Sequence, residues 1–524
     1  MLSIMLIACL GGIVYSNTFH CPFNFDDELY IVNNFAIRNI HDLLSIWKAY
    51  PCRFIALFSF AFNYHFNQLN VLGYHLFNLM VHLASAILVW WFVQLTFLTP
   101  AMKGQKIADH ANIISLLAGL VFVAHPVQTE AVTYICQRAA SMATFFYLAS
   151  LCFYVKSRLL EDGVVGRKVY YICALAAAVA AMFTKEIAIT LPLMVLLYEI
   201  SFFEKKRGLN WSSCRTLVVT RKQLFPFLAT LFIIPSTMLL SKSVLVQTIQ
   251  GVVKEGISPL HYLLTQFGVM VTYIRLVFLP FNQNIDYDYP IAKSIFEFHT
   301  LGSLLFLMGI LFYAKHLWAK HRLVSFSIFW FFLTLLPESS FLPLQDVIFE
   351  HRLYLPLVGY SILLVSGMFT ILESNNSKTM VKILMVIIAG YSFLTYQRNK
   401  VWRDDLTLWN DTVQKSPHKA RTYGNRGLLY LQQGSYAQAM SDLTQAITLN
   451  PDYSEAYNNR GLIYLQQGNF TQAVSDFTRA IALNANNAVA YSNRSSAYYY
   501  LKEYEEASAD VKRAKEINGP IIIH

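Results

Sequence analysis

Apolar residues dominate in long runs, separated by short polar loops, from the first residue to about Tyr396, and the pattern then changes. The runs fall at about 1–18, 71–97, 111–124, 139–156, 169–183, 187–203, 224–240, 298–314, 323–337, 353–373 and 380–397. An α-helix rises about 1.5 Å per residue, so roughly 20 residues cross the ~30 Å hydrocarbon core, and the shorter runs lean on polar flanks to finish the crossing. About eleven spans predict an all-α, polytopic transmembrane helical bundle over 1–397. A further run, 261–280, carries Arg275 and Pro280; counted as a span it breaks the parity of crossings, so a re-entrant or interfacial segment is expected.

Beyond Arg398 charged residues return at an ordinary frequency and a repeat appears. Asn425-Arg426-Gly427, Asn459-Arg460-Gly461 and Asn493-Arg494-Ser495 recur every 34 residues, the period of a tetratricopeptide repeat (TPR). Small residues such as Gly427, Ala439 and Ala446 alternate with Tyr423, Tyr430 and Leu443, and the next units repeat them. Small positions let paired helices approach closely and aromatics fill the gap, so 420–521 is predicted to be an α-solenoid of about three repeats. Pro417 precedes Pro451 by the same 34, making 398–419 a junction that includes a partial repeat helix. Such arrays supply a binding surface. Asn425, Asn459 and Asn493 could line its concave face and hydrogen-bond an acceptor polypeptide's backbone, or could satisfy groups inside the array.

Composition sharpens this picture. The 524 residues are 55% apolar and 14% charged, against about 25% charged in a soluble protein. The net charge of +10 could suggest nucleic acid, but the basic residues sit mainly in short loops between spans, so membrane orientation explains them and nucleic acid is not an expected partner. With the N-terminus inside, 17 Lys and Arg fall on the cytoplasmic side up to Lys382 and 10 on the other, which places the repeats outside the cytoplasm. Met1–Val14 lacks a basic n-region and a cleavage site and reads as a retained first span. Cys21 and Cys52 flank the first polar loop and could pair in an oxidising compartment. No cysteine or histidine cluster has metal-ligand spacing.

Ionisable residues at membrane boundaries tend to mark function. Four groups fall on the outer side of this topology: Asp26-Asp27-Glu28; His125 and Glu130, continuing to Arg138; Lys185-Glu186; and Glu350-His351-Arg352, with Asp346 nearby. Adjacent carboxylates repel, which raises at least one pKa, and one held ionised could accept the proton of an attacking hydroxyl. An arginine fork with an imidazole suits a phosphate. Singly, each group has a bland reading as a solvated loop or interfacial anchor. Together they suit a donor whose phosphate is held while its sugar moves.

The ordered set FNFDDELYIVNN, YHLFNLMVHL, HPVQTEAVTYICQR, TKEIAITLPLMVLLYE and EHRLYLPLVGY, followed by the repeats, resembles the transmembrane-and-TPR O-mannosyltransferase family of the GT-C class, along essentially the whole chain. The resemblance implies a GT-C-like bundle and an inverting transferase that takes a sugar from a polyprenyl-phosphate donor and passes it to Ser or Thr hydroxyls. It maps the catalytic acidic motif onto Asp26 and Asp27 without saying which is the base. It makes Glu28, His125, Glu130, Arg138, Lys185, Glu186, Glu350, His351 and Arg352 candidates for donor or acceptor contact. No cofactor is implied firmly, and a divalent cation stays open. The short array fits a compact bacterial relative with the repeats in the periplasm; in a eukaryote they would lie in the ER lumen. Two other readings compete: a membrane-anchored TPR adaptor without catalysis, and a transporter, which would want midplane charges and a pseudo-repeat that the chain does not clearly show.

Overall fold

The computed structural model describes residues 1–161, 163–204, 222–240, 257–340, 342–344, 346–371 and 377–518. Lys205, Lys206, Arg207, Arg215, Arg221, Lys242 and Lys254, counted above for orientation, lie outside them. Among the described residues there is helix and loop but no strand. The chain forms two compact units, one of Met1–Gln283 with Tyr289–Arg403, the other of Asn284–Asp288 with Asp404–His524. The expected 398–419 junction is thus divided at Arg403.

Among the described residues of the first unit, eight helices are long and apolar enough to cross a membrane, and three shorter apolar helices, Leu2–Val14, Arg322–Leu335 and Pro356–Ile371, accompany them. Helix Val71–Phe97 is the longest of the eight at 27 residues. Its Asn70 cap accepts a hydrogen bond from the Leu72 N–H. Small residues set the closest approaches. A Cβ on Gly359 would lie 2.7 Å from the Ser327 carbonyl, so helices Pro356–Ile371 and Arg322–Leu335 meet backbone to backbone there.

Segment 261–280 is one unbroken helix, Pro259–Phe278, which excludes the re-entrant option. The Tyr262 hydroxyl donates to the Glu338 carbonyl, the Gln266 amide to that of Val347, and the Tyr273 hydroxyl to that of Phe349. The Val277 carbonyl bonds His125. Three side chains of this helix thus bond the segment between helices Arg322–Leu335 and Pro356–Ile371, and its C-terminal end also accepts from Tyr391. The suggested Cys21–Cys52 disulfide is not formed: both cysteines are buried, and Cys52 Sγ lies 3.1 Å from the Thr237 hydroxyl.

The second unit begins with helix Asp405–Lys415 and continues in three helix pairs, Ala420–Gln432 with Tyr436–Leu449, Ser454–Gln466 with Phe470–Leu483, and Ala488–Tyr500 with Tyr504–Asn518. A Cβ on Gly461 would meet the Phe477 ring at 2.7 Å, which shows why that position is small. Gly434 and Gly468 turn the chain between paired helices with φ of 74° and 78°; the equivalent residue of the third pair is Lys502, at φ 65°. Segment Asn284–Asp288 joins this unit through the Asp286 carboxylate, which accepts two hydrogen bonds from Arg421 at 2.8 and 2.6 Å and pairs with Lys419.

Candidate active site

The acidic motif follows helix Leu2–Val14 in a strained turn. Phe25 has φ 49°, in the left-handed region that a bulky residue rarely enters. Three hydrogen bonds hold the turn. The Asp27 carboxylate accepts from the backbone N–H of Asn24 at 3.0 Å and of Cys136 at 2.6 Å, and the Asp26 N–H donates to the Tyr134 hydroxyl at 2.8 Å. Tyr134 in turn stacks on the buried Trp402, ring centroids 5.5 Å apart. The motif is thereby stapled to the loop before helix Arg138–Leu159. Asp27 is fully buried while Asp26 remains partly exposed. Burial pushes Asp27 up to about 7, against the two backbone N–H donors that favour its ionised form. Glu28 lies at the surface and accepts from the Asn33 amide at 3.2 Å.

Two later motifs meet directly. Glu130 Oε2 accepts from the N–H groups of Glu350 at 2.9 Å and His351 at 3.2 Å, and Oε1 lies 2.7 Å from His351 Nδ1. The Gln283 amide ties in the third loop, donating to Glu350 Oε2 at 2.8 Å and to the Pro126 carbonyl at 3.0 Å. Burial, then the charge of Glu350, raises Glu130; burial, then Lys185, Arg352 and Arg53, lowers His351. Both shifts favour a protonated carboxyl facing a neutral imidazole.

The cations gather nearby. Arg53 grips Glu186 with two hydrogen bonds, at 3.1 and 3.2 Å, and both side chains keep about 30% exposure (28% and 30%), so this corner reaches solvent. Lys185 is buried with its Nζ 3.6 Å from Glu338. Burial lowers its pKa, and the charges of Glu338, Arg53, Glu186 and Arg352 all act on it. Arg352 donates to the carbonyls of Val347 at 3.1 Å and Asp346 at 2.7 Å, while its Nε, buried, has no hydrogen-bond partner. Burial raises the Tyr30 phenol, with the charges of Arg53, Asp26 and Glu186 acting on it as well. Arg53, Glu338, Gln283 and Tyr134 were not singled out from sequence. Arg53 had only the signal of a basic residue in the first polar loop.

Arg138 and His125 are buried among protein partners. Arg138 is fully buried: Nε donates to Asn78 Oδ1 at 2.5 Å, Nη1 to Asn63 Oδ1 at 2.6 Å and Nη2 to the Tyr74 carbonyl at 3.0 Å. The Phe60 and Phe77 rings cover it at 4.6 and 4.4 Å. It braces helix Arg138–Leu159 against Phe54–Asn67 and Val71–Phe97. His125, fully buried, accepts from the Val127 N–H and bonds the Val277 carbonyl at 2.9 Å; burial brings it down to about 4, so it is a neutral strut.

In the repeats, the arginine of each Asn-Arg motif pairs with an aspartate 16 residues on: Arg426 with Asp442, Arg460 with Asp476 and Arg494 with Asp510, each through two hydrogen bonds. These pairs stitch the two helices of a repeat. Asn493 donates to Asn458 Oδ1 at 3.0 Å, and the Asn458 amide reaches Asn459 at 3.4 Å, so two of the three predicted binding asparagines are partly used within the array. The Asn425 amide nitrogen, buried, has no partner. Among the described residues, no group of three or more His, Cys, Asp and Glu could hold a metal ion.

Residues 427–468, 454–487 and 488–520 match models of the tetratricopeptide repeat. The chain is similar to Protein O-mannosyl-transferase Tmtc3 of Drosophila melanogaster, 24% identical over 85% of this chain and 55% of that one. It is also similar to Protein O-mannosyl-transferase TMTC3 of Homo sapiens, 23% identical over 85% of this chain and 51% of that one. The chain therefore spans about half the length of these curated relatives. A crystal structure of ArnT from Cupriavidus metallidurans bound to undecaprenyl phosphate aligns over 97% of this chain and 87% of that one, at 14% identity and a TM-score of 0.41, below the level at which a shared fold follows. The chain carries tetratricopeptide repeats at its C-terminal end and, over 85% of its length, is similar to proteins named protein O-mannosyl-transferases.

Proposed function

We propose that this multi-pass membrane protein is an inverting glycosyltransferase that moves a mannose-like sugar from a polyprenyl-phosphate donor to Ser or Thr hydroxyls of a polypeptide. The observation that carries the reading is a partly exposed carboxylate, Asp26, on a turn stapled through Tyr134 to the loop before helix Arg138–Leu159. Asp26 accepts the proton of the acceptor hydroxyl as its oxygen bonds the sugar's anomeric carbon. The bond from that carbon to the phosphate oxygen breaks, and its electron pair leaves on the lipid phosphate. Arg53, Lys185 and Arg352 stabilise the charge that develops there. Asp27, whose oxygens bind two backbone N–H groups, positions its neighbour.

The names of the relatives support transfer of mannose to protein, and the repeats offer a surface for an extended acceptor. No metal is assigned a role. The test is transfer from radiolabelled polyprenyl-phosphate mannose by the purified full chain. Asp26→Asn should abolish labelling of acceptor protein, and full labelling by this variant would refute the assignment.

A further inference from the structure

Across the bundle from the acidic motif, helices Val71–Phe97, Ala111–Ala124, Phe298–Leu317, Arg322–Leu335 and Pro356–Ile371 end around a cavity of about 380 Å³. Two separate loops supply its polar wall, Lys106 and His110 from one and Lys320, His321 and Arg322 from the other. Its floor includes Met102, Leu323 and Phe369, all buried, and His110 packs on Phe369 with ring centroids 5.4 Å apart. Arg322 is fixed in place by donating to the carbonyls of Ser201 and Glu204, each at 3.1 Å. Among the described residues, no Asp or Glu lines the cavity.

Loop cations that merely orient a membrane protein need only reach water. Here Lys106 of one loop and Lys320 of the other line one concavity with an apolar floor, and no Asp or Glu is among its described lining residues. A phosphate satisfies the wall, and the glycerol and upper acyl carbons of a lipid suit the floor. The helix feeding the site, Phe298–Leu317, exposes Phe306, Phe312 and Tyr313, as a lipid-facing helix does. We infer that this cavity binds the headgroup of an anionic phospholipid, on the face opposite the proposed sugar transfer and independently of it.

The test uses the full chain in a neutral detergent, offered phosphatidylglycerol or phosphatidylcholine, with retained lipid measured by native mass spectrometry. Wild type should retain phosphatidylglycerol in preference to phosphatidylcholine. Each interfacial cation contributes about fivefold in affinity, so Lys106→Gln with Lys320→Gln should weaken retention roughly 30-fold. Lys48→Gln with Lys293→Gln, which removes two exposed lysines elsewhere, should leave it unchanged. Both variants should elute as monodisperse protein with wild-type melting temperature. Equal retention by wild type and the first variant, or an equal loss in the second, would overturn the site. Displacement of phosphatidylglycerol by millimolar inorganic phosphate would overturn the lipid as occupant in favour of the free anion.

Discussion

Asp26 and Asp27 are covalent neighbours in different surroundings, and their variants should separate. Removing a general base costs about 10²–10⁴ in rate, so Asp26→Asn should lose activity on that order with little change in melting temperature. Asp27→Asn should lose less activity but melt lower, because an amide cannot accept both backbone N–H groups at once. Asp27 also carries a pH signature. Its folded value, about 7, lies above its ordinary 3.8, so its contribution to stability is complete below about pH 4 and is lost as pH rises through about 7. The melting temperature of wild type relative to Asp27→Asn should fall over that window and level off above it. The acidic pair was legible in the sequence because three carboxylates in a row beside a span are unusual. Arg53 was not, since its partner Glu186 is 133 residues away in sequence. The surroundings of Arg138 were not legible for the converse reason. That arginine sits at the end of a polar loop, yet its partners on helices Phe54–Asn67 and Val71–Phe97 draw it into the bundle.

Helices were the most legible element, for two reasons. A run of apolar residues has no other way to satisfy its backbone in a bilayer, and the 34-residue period repeats the same packing demand three times. Segment 261–280 was harder. Its length fits a crossing, and only its partners Glu338, Val347 and Phe349 settle where it runs. The repeats make two predictions. Gly461→Ala would drive a methyl into the Phe477 ring and should destabilise that helix pair by about 1–3 kcal/mol. Lys502→Gly relieves a left-handed lysine and should stabilise the third pair by up to about 1 kcal/mol. Hydrogen exchange of the 454–483 and 488–518 amides in the full chain measures both.

At the scale of the whole molecule, the charge asymmetry between loops predicts a side for the repeats. Protease added from the non-cytoplasmic side of sealed vesicles should therefore cut within 404–518, and cleavage seen only after the vesicles are opened would reverse the orientation. The boundary between the two units was half legible. The change of composition near Arg398 marks one crossing of the chain. The excursion Asn284–Asp288 could not be read, because five residues carry no periodicity and their partners lie more than a hundred positions on.

That excursion bears on how the repeats can be studied. The backbone passes from one unit to the other at residue 284, returns at 289 and passes again at 404. Cutting at 403 would take away Ser416, Lys419 and Arg421 and leave Asp286 without the cations that hold it. The stranded strip continues directly into Gln283, which grips Glu350. A truncated chain that fails in a transfer assay would thus confound loss of the proposed peptide surface with damage at the proposed transfer centre. Single-residue replacements on the solenoid, made in an otherwise intact chain, keep the two causes apart.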